Sequence, residues 1–452
     1  MWNEKITPQL EELLAAKNYR AIKALLNGLT PQDIALLLDG AEESDVSLLF
    51  RLLPKELAAE TFVEMDSDLQ KRLLRSFSDA ELRGVVAELF VDDVVDIIEE
   101  MPANVVKRIL ASADAETRAA VNEILHYPPD SAGSIMTTEY ISLSADMTVE
   151  DAFTRIRRVG VDKETIYTCY VTAPDRRLIG LVTVKTLLLS DKATAVGDIM
   201  ERNVISVRTD ADRELVAQEL GRYDFLAMPV TDAENRLVGI VTFDDAIDVI
   251  REEATEDIEK MAAITPTDKP YLKTGVFETF GKRIPWLCLL MISATFTGSI
   301  IAHFEDALAK AVILTAFIPM LMDTGGNAGS QASVTVIRGL SLGELSMRDI
   351  FRILWKELRV ALLCGAALAA LGFAKLLLFD RVSLRVALVV CLTLAVTVLV
   401  AKLVGASLPI LAKRLGFDPA VMASPFITTI VDALSLLFFF NIDSMLIPEL
   451  LI

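Results

Sequence analysis

One ionisable side chain interrupts an apolar stretch near the end of the chain. Asp432 lies near the centre of residues 419–441, which are otherwise apolar enough to cross a bilayer. A carboxylate at mid-membrane costs about 2.5 to 3.5 kcal/mol to insert, so it is expected to face a partner or a wet cavity. Helical spacing extends this polar stripe along one face. Its members are Ser424, Thr428, Asp432 and Ser435. The stripe predicts a pore wall, and a structural carboxylate bonded to a neighbouring helix is the alternative.

A second apolar stretch contains a run of small and polar residues. Residues 308–340 are too long for one straight span, and Pro319 and the glycine-rich run from Asp323 to Gln331 interrupt them. Irregular backbone is tolerated at membrane depth only where protein or water satisfies it. We therefore expect carbonyls freed by the glycines, with the side chains of Asn327 and Gln331, to line the path. Close helix packing through small residues is the competing interpretation.

These two stretches offer only oxygen ligands. The two histidines, His126 and His303, lie elsewhere, and the four cysteines show no metal-binding spacing. Hard cations prefer oxygen, and magnesium gives up its hydration water reluctantly, so a few carboxylates and carbonyls around a hydrated ion suit it. Magnesium is the predicted ion, with calcium, manganese and cobalt left open. In a two-fold dimer, two copies of Asp432 could meet on the axis.

The composition requires that part of the chain lies in lipid. Of 452 residues, 53% are hydrophobic, and the formal net charge is −19. Acidic residues greatly outnumber basic ones before residue 270, whereas the remainder is slightly basic. An acidic soluble part concentrates cations and repels nucleic acid, although simple solubility explains the charge equally well. We predict a lipid bilayer and divalent cations as partners, and no nucleic acid.

Five apolar segments predict an α-helical membrane domain at 282–452, since about 20 residues suffice for one span. They are 284–302, 308–340, 358–379, 385–411 and 419–441. Basic clusters before the first segment, after the second and after the fourth predict a cytoplasmic N-terminus and a C-terminus outside. The N-terminal residues lack a signal-peptide pattern, so the soluble part is expected in the cytosol and the protein in a bacterial inner membrane.

The first 130 residues contain a regular repeat. It is marked by Leu29-Thr30-Pro31, Leu53-Pro54, Phe77-Ser78 and Met101-Pro102, which are equally spaced. Pro and Ser suit a helix N-terminus, and an apolar helical pattern follows each mark. The repeat predicts an all-α domain of stacked helix pairs at 1–130.

Residues 131–250 are duplicated internally. Ser134-Ile135-Met136 returns as Asp198-Ile199-Met200, and the strand-like segment 178–183 returns as 237–242. Turn residues precede each of these strands, as a hairpin requires. The duplication resembles a tandem pair of cystathionine-β-synthase (CBS) domains, which have an α/β fold and a regulatory role.

The CBS resemblance implies a possible site for ATP or another adenine nucleotide. Such domains use a Thr followed three residues later by an acid that contacts ribose. The second copy has Thr242 and Asp245, whereas the first has Thr183 but Thr186 in place of the acid. At most one nucleotide site is therefore expected.

Acidic residues also cluster in the soluble part. Asp92, Asp93 and Asp96 lie in the helical repeat, and Asp244, Asp245 and Asp248 end the second CBS copy. Carboxylates brought together from separate domains repel each other and would hold the domains apart unless divalent ions bridge them. Solvated helix faces are the alternative.

Taken together, four motifs resemble the MgtE family of bacterial magnesium channels and transporters, over essentially the whole chain. They are the run from Thr324 to Gln331, the segment from Asp418-Pro419-Ala420 to Asp432, Glu164-Thr165-Ile166-Tyr167, and Glu253-Ala254-Thr255-Glu256-Asp257-Ile258.

The resemblance implies a homodimer whose pore is built from the second and fifth spans. Asp432 would bind magnesium, helped by carbonyls near Gly325 and Thr428, and a connecting (plug) helix at 251–281 would shut the pore. Regulatory magnesium would bind between the cytoplasmic domains. The residues implied are Glu60, Asp92, Asp96, Asp212, Glu214, Asp224, Asp245, Asp248, Glu253, Glu256 and Asp257, together with Asp418.

The sequence therefore favours a magnesium-selective channel that cytoplasmic magnesium closes. A secondary transporter that couples Mg²⁺ or Co²⁺ to a gradient is the alternative, because an isolated membrane carboxylate serves it equally well. A membrane-anchored sensor that transports nothing is a third hypothesis. The sequence contains no recognisable catalytic constellation, so an enzyme is not expected.

Overall fold

The computed structural model describes residues 3–267, 269–304, 312–422 and 424–446. The chain divides into two compact units, Met1–Ile250 and Arg251–Ile452.

The first unit begins with ten short helices over residues 3–124. They are α1 Asn3–Ala15, α2 Tyr19–Leu26, α3 Pro31–Asp39, α4 Glu43–Arg51, α5 Lys55–Val63, α6 Ser67–Ser76, α7 Asp79–Val86, α8 Val91–Glu100, α9 Ala103–Ser112 and α10 Ala115–Ile124. Each predicted repeat mark immediately precedes or begins a helix, namely α3, α5, α7 and α9. Ser78 and Glu81 form a reciprocal capping box at the start of α7, and such caps satisfy the free N–H groups of a helix end. The all-α prediction is confirmed.

Two similar α/β halves follow in the first unit. Their strands are β1 Ser142–Leu143, β2 Thr168–Thr172, β3 Leu178–Thr183, β4 Val207–Arg208, β5 Ala227–Thr231 and β6 Leu237–Thr242. Their helices are α11 Val149–Val159, α12 Val184–Leu189, α13 Val196–Ile199, α14 Arg213–Tyr223 and α15 Phe243–Met261. In each three-stranded sheet the first strand pairs in parallel with the second, and the second pairs antiparallel with the third. The predicted hairpin strands coincide with β3 and β6.

The two halves exchange their leading segments. A Cβ on Gly239 in β6 would lie 2.5 Å from Sδ of Met136, and a Cβ on Gly180 in β3 would lie 2.6 Å from Sδ of Met200. The methionine before each half therefore packs against the last strand of the other half. This exchange explains why Ser-Ile-Met and Asp-Ile-Met recur in the sequence.

Long helices dominate the second unit. They are α16 Val276–His303, α17 Val312–Thr315, α18 Ile318–Ser341, α19 Ile350–Leu378, α20 Leu384–Arg414 and α21 Ser424–Leu446, of which α17 is a single turn. Within the residues that the structure describes, four helical segments are long and apolar enough to cross a membrane: Val276–His303, Met347–Leu378, Leu384–Arg414 and Pro419–Asp443. The second predicted span overlaps α18, which is less apolar, and part of it lies outside the described residues. The count of five spans therefore stays a prediction.

The structure corrects two local expectations. The connecting segment predicted as one helix over 251–281 is helical only to Met261, the described residues 262–275 contain no helix, and α16 begins at Val276. The glycine-rich run is not irregular backbone, because α18 continues through it. A Cβ on Gly405 would lie 2.2 Å from the carbonyl oxygen of Gly329. Small residues in α18 and α20 therefore permit close packing of these two helices.

Candidate ion pathway and acidic clusters

Helix α18 presents two chemically different faces. Gly325 and Gly329 are buried, and a Cβ at Gly325 would lie 2.6 Å from Thr397 on α20 and 2.9 Å from Val431 on α21. Around the helix, Asp323, Asn327 and Gln331 are exposed at four-residue spacing and are aligned along the axis. An amide and carboxylate stripe on a helix packed among apolar spans is costly against lipid, so it requires water or a second chain.

Helix α21 places Asp432 beside this stripe. The carboxylate of Asp432 is half-buried and lies close enough to Asp323 for their charges to interact. The Thr428 hydroxyl donates to the Pro425 carbonyl oxygen at 3.0 Å, and the Ser435 hydroxyl, which is buried, donates to the Val431 carbonyl oxygen at 2.6 Å. The Ser435 hydroxyl is therefore hydrogen-bonded within its own helix, and Ser435 does not contribute to the polar surface around Asp432.

The other residues predicted to form the pore lie in different environments. Gly325 contributes close packing, because its carbonyl belongs to a continuous helix. Ser424 begins α21, and its side chain lies outside the described part of the chain. Asn327 and Gln331 lie on the exposed face of α18 together with Asp323, and their pore-lining role stays a prediction.

A separate acidic cluster forms in the first unit. Asp92 and Asp93 lie in the first turn of α8, Asp245 lies in the first turn of α15, and Glu164 precedes β2. One oxygen of Asp92 and one of Glu164 are buried without a hydrogen-bond partner. A buried carboxylate oxygen with no donor is costly unless it is protonated or binds a cation.

Burial and mutual repulsion govern the charges of this cluster. Burial, then the charge of Asp245, raises the pKa of Asp93 to about 7. Burial, then the charges of Asp93 and Asp245, raises the pKa of Glu164 to about 8. The pKa of Asp92 also lies well above its ordinary value, chiefly through burial and next through Asp245. Asp245 has a pKa of about 6, since burial outweighs the hydrogen bond from Thr242.

The described residues contain no group of three Asp, Glu, His or Cys side chains set closely enough to hold a metal ion. The cluster is thus close enough for repulsion but is not closed around a cation. Its donor set of carboxylates, two with orphaned buried oxygens, nevertheless fits a hard divalent ion such as Mg²⁺.

A third set of charges lies where the end of α15 meets the membrane helices of the second unit. Lys260 Nζ lies 2.5 Å from Glu256 Oε1 and 2.6 Å from Asp418 Oδ2. Asp257 Oδ2 accepts a hydrogen bond from the Ser341 hydroxyl, at the end of α18, at 2.9 Å. Burial raises the pKa of Asp257. The Ser341 hydrogen bond lowers this pKa, and the negative charge of Asp418 raises it.

Other residues implied by the family motifs are dispersed. Asp212 caps the N-terminus of α14, where it accepts from the Glu214 N–H at 2.8 Å, whereas Asp224 ends the same helix in a left-handed conformation. A helix of 11 residues separates them by about 16 Å, so they cannot share one ion within one chain. Asp96 and Asp248 are exposed but lie beside the acidic cluster, close enough for their charges to act on Asp92 and Asp245. Glu60 is exposed, and Glu253 is half-buried.

The possible nucleotide contact pair is already hydrogen-bonded. The Thr242 hydroxyl donates to Asp245 Oδ2 at 2.5 Å. In the first half, the hydroxyls of Thr183 and Thr186 bond each other at 2.9 Å. The threonine-to-acid spacing therefore gives a local contact at the start of α15 that has no acidic counterpart in the other half.

Several residues of these sites were named from the sequence only as members of longer runs and were not assigned a site role. Asp93 and Glu164 lie in an acidic and a family-motif segment, and burial distinguishes them from their solvated neighbours. Asp323 begins the glycine-rich run, and its helical spacing to Asn327 was an available signal. No sequence pattern indicated a role for Lys260, because its partner Asp418 is remote in sequence.

Models of three protein families match the chain. The MgtE intracellular N domain matches residues 29–130, the CBS domain matches 132–191 and 196–252, and the MgtE divalent cation transporter family matches 318–442. The magnesium transporter MgtE of Thermus thermophilus is 37% identical over 448 residues, which cover 98% of this chain and 99% of that protein. MgtE of Bacillus subtilis is 34% identical over 97% of this chain and 96% of its own length.

Two solved structures resemble the soluble part. A crystal structure described as the cytosolic domain of the Mg²⁺ channel MgtE in complex with ATP is 37% identical, has a TM-score of 0.52, and covers 54% of this chain and 99% of its own. The soluble part of a magnesium transporter is 32% identical, has a TM-score of 0.52, and covers 56% and 99%.

These findings define a class of multidomain membrane transporters of Mg²⁺, not of enzymes. The chain belongs to the MgtE family, with its N-terminal domain, its tandem CBS domains and a helical C-terminal region. The resemblance drawn from the four motifs is confirmed.

Proposed function

We propose that two copies of this chain form a magnesium-selective channel in the bacterial inner membrane, and that Mg²⁺ bound to the cytosolic part closes it. Residues 1–130 are the helical-repeat domain, 131–250 the CBS pair, 251–281 the connecting segment and 282–452 the membrane domain. The N-terminus lies in the cytosol and the C-terminus lies outside.

The exposed polar face of α18 beside Asp432 carries the pore assignment. Asp323, Asn327 and Gln331 line one side of α18, and Asp432 extends the same surface on α21. A two-fold partner would enclose this surface and remove it from lipid. Two pairs of carboxylates with neighbouring amides suit a cation that retains most of its water, as Mg²⁺ does. Asp432 is the principal ligand in this proposal, and Asp323 supports it.

The acidic cluster of the first unit is the proposed sensor. Mg²⁺ would replace the repulsion among Asp92, Asp93, Glu164 and Asp245 by attraction, and so favour a closed arrangement. Helix α15 is the proposed link, because Asp245 lies in its first turn and Met261 ends it. Met261 packs against Ile337 of α18 and against Ala420. A change in the position of α15 would therefore reach the pore helix.

Nucleotide binding is a further part of the proposal. The relative solved with ATP shares 37% identity with this chain, and Thr242 with Asp245 supplies the spacing described for ribose contact. Because Asp245 also belongs to the acidic cluster, nucleotide and Mg²⁺ would influence each other's binding at this residue.

Uptake into liposomes tests the pore assignment. Asp432→Asn is expected to abolish Mg²⁺ entry, read by an enclosed magnesium-sensitive dye, and Asp323→Asn to lower it. Asp380→Asn is the matched control, since this carboxylate pairs with Lys375 at 2.7 Å on the membrane unit's surface. Normal uptake by the Asp432→Asn protein would remove the assignment.

A gradient-coupled carrier of Mg²⁺ or Co²⁺ is the second candidate, and one ion pair favours it. Lys402 in α20 is buried and lies 3.8 Å from Glu357 in α19. Ionisable residues inside membrane helices are rare, and they mark ion pathways and the proton relays of pumps and transporters. Uptake that depends on a proton or sodium gradient at fixed voltage would support this mechanism, and uptake independent of both would support the channel.

A further inference from the structure

The ammonium of Lys260 lies between a carboxylate near the end of α15 and another in the segment before α21. Lys260 Nζ contacts Glu256 Oε1 at 2.5 Å and Asp418 Oδ2 at 2.6 Å. The other oxygen of Asp418 accepts from the Ala420 N–H at 2.8 Å. The Lys260 side chain is only 23% exposed, so water screens these contacts incompletely.

The ammonium takes the place that a divalent cation would need. Glu256, Asp257 and Asp418 belong to the set that the MgtE resemblance implies as magnesium ligands. A lysine side chain is positively charged at neutral pH, and the two carboxylates lie within 2.6 Å of its ammonium. Mg²⁺ and an ammonium cannot both sit against the same two carboxylates without strong repulsion.

We propose that Lys260 is an internal competitor for this cation site. Its tethered ammonium neutralises Glu256 and Asp418 while Mg²⁺ is scarce, and Mg²⁺ binds there by displacing it. Lys260 thereby sets the magnesium concentration at which the site fills, and this inference rests on the proposed function, in which bound Mg²⁺ closes the pore.

The same contacts permit a rival role with the opposite consequence. Lys260 joins α15 to the segment before α21, so it could simply fasten the helix to the membrane unit. Removal of a fastener would weaken docking, and more Mg²⁺ would then be needed to restore it. Removal of a competitor would instead let Mg²⁺ bind at lower concentration. The direction of the change therefore separates the two roles.

Hydrogen exchange on the full-length protein in detergent measures this directly. The observable is the Mg²⁺ concentration that gives half-maximal protection of amides in residues 254–267, read by mass spectrometry. Lys260→Gln removes the ammonium, and Lys260→Arg retains a cation. Lys269→Gln is the matched control, because Lys269 pairs with Glu278 at 3.4 Å and does not touch Asp418. Asp418→Asn removes a proposed ligand.

The competitor role predicts that Lys260→Gln lowers the half-protection concentration about tenfold, the effect of losing two partly exposed ion pairs. Lys260→Arg and Lys269→Gln stay near wild type, and Asp418→Asn loses the protection. An unchanged or higher concentration for Lys260→Gln, with wild-type protection intact, overturns the competitor alone. Absence of Mg²⁺-dependent protection in the wild-type segment would instead overturn the cation site, and with it the proposed regulation.

Discussion

The close contact between α18 and α20 gives a sharp prediction for Gly405→Ala. The added Cβ would lie 2.2 Å from the Gly329 carbonyl oxygen and 2.9 Å from its carbonyl carbon. The clash is with backbone, which cannot rotate away as a side chain can. Since carbon atoms prefer separations of about 3.5 Å or more, the two helices must move apart by about 1 Å. Overpacking of this kind costs about 1–3 kcal/mol.

Two assays follow from that displacement. Thermal unfolding of the purified Gly405→Ala protein should occur at a lower temperature, and Mg²⁺ uptake per folded protein should fall by about tenfold or more, because α18 carries the proposed pore face. Gly298→Ala in α16 is the control, since a Cβ there would meet no heavy atom within 4 Å. If Gly405→Ala kept both the wild-type melting temperature and wild-type uptake, the packing account of the glycine-rich run would be refuted.

Two further predictions concern the first unit. In the folded chain the pKa of Asp93 is about 7 and that of Glu164 is about 8. Both values lie above those of an unfolded chain, so the contribution of these two groups to stability is present at low pH and is lost as pH rises from about 4 to 8. The melting temperature of the Mg²⁺-free protein should therefore fall over this range and Mg²⁺ should reduce the fall, whereas a flat Mg²⁺-free profile would contradict the described burial. Arg108 donates to the Leu74 and Phe77 carbonyl oxygens, each at 3.0 Å. Arg108→Ala should therefore lower the free energy of unfolding, measured by denaturant titration, by about 1–2 kcal/mol. An unchanged free energy of unfolding would show that water replaces these bonds without cost.

Local signals in the sequence predicted most of the fold. The repeat marks such as Ser78 predicted helix starts because capping is a contact within one turn. The strands 178–183 and 237–242 were predictable because hairpins join neighbours in sequence. The continuity of α18 was not, since a glycine-rich run reads equally as a break or as a packing face, and only the neighbouring helices decide between them.

The site could be predicted where one element supplies it. Asp432 stood out because a lone carboxylate in an apolar helix is costly, and Asn327 and Gln331 stood out as the amide side chains of the glycine-rich run. Contacts between remote segments carry no such signal. The ion pair of Lys260 with Asp418 and the burial that raises the pKa of Glu164 both arise from tertiary packing.

Current through an inside-out membrane patch tests the central claim most directly. Mg²⁺ is the only permeant cation, and its concentration on the cytosolic face is raised in steps. The proposed channel predicts current at low cytosolic Mg²⁺ that closes as the concentration rises. Current that ignores cytosolic Mg²⁺ would contradict the sensor, and absence of current despite Mg²⁺ uptake driven by an ion gradient in liposomes would contradict the channel.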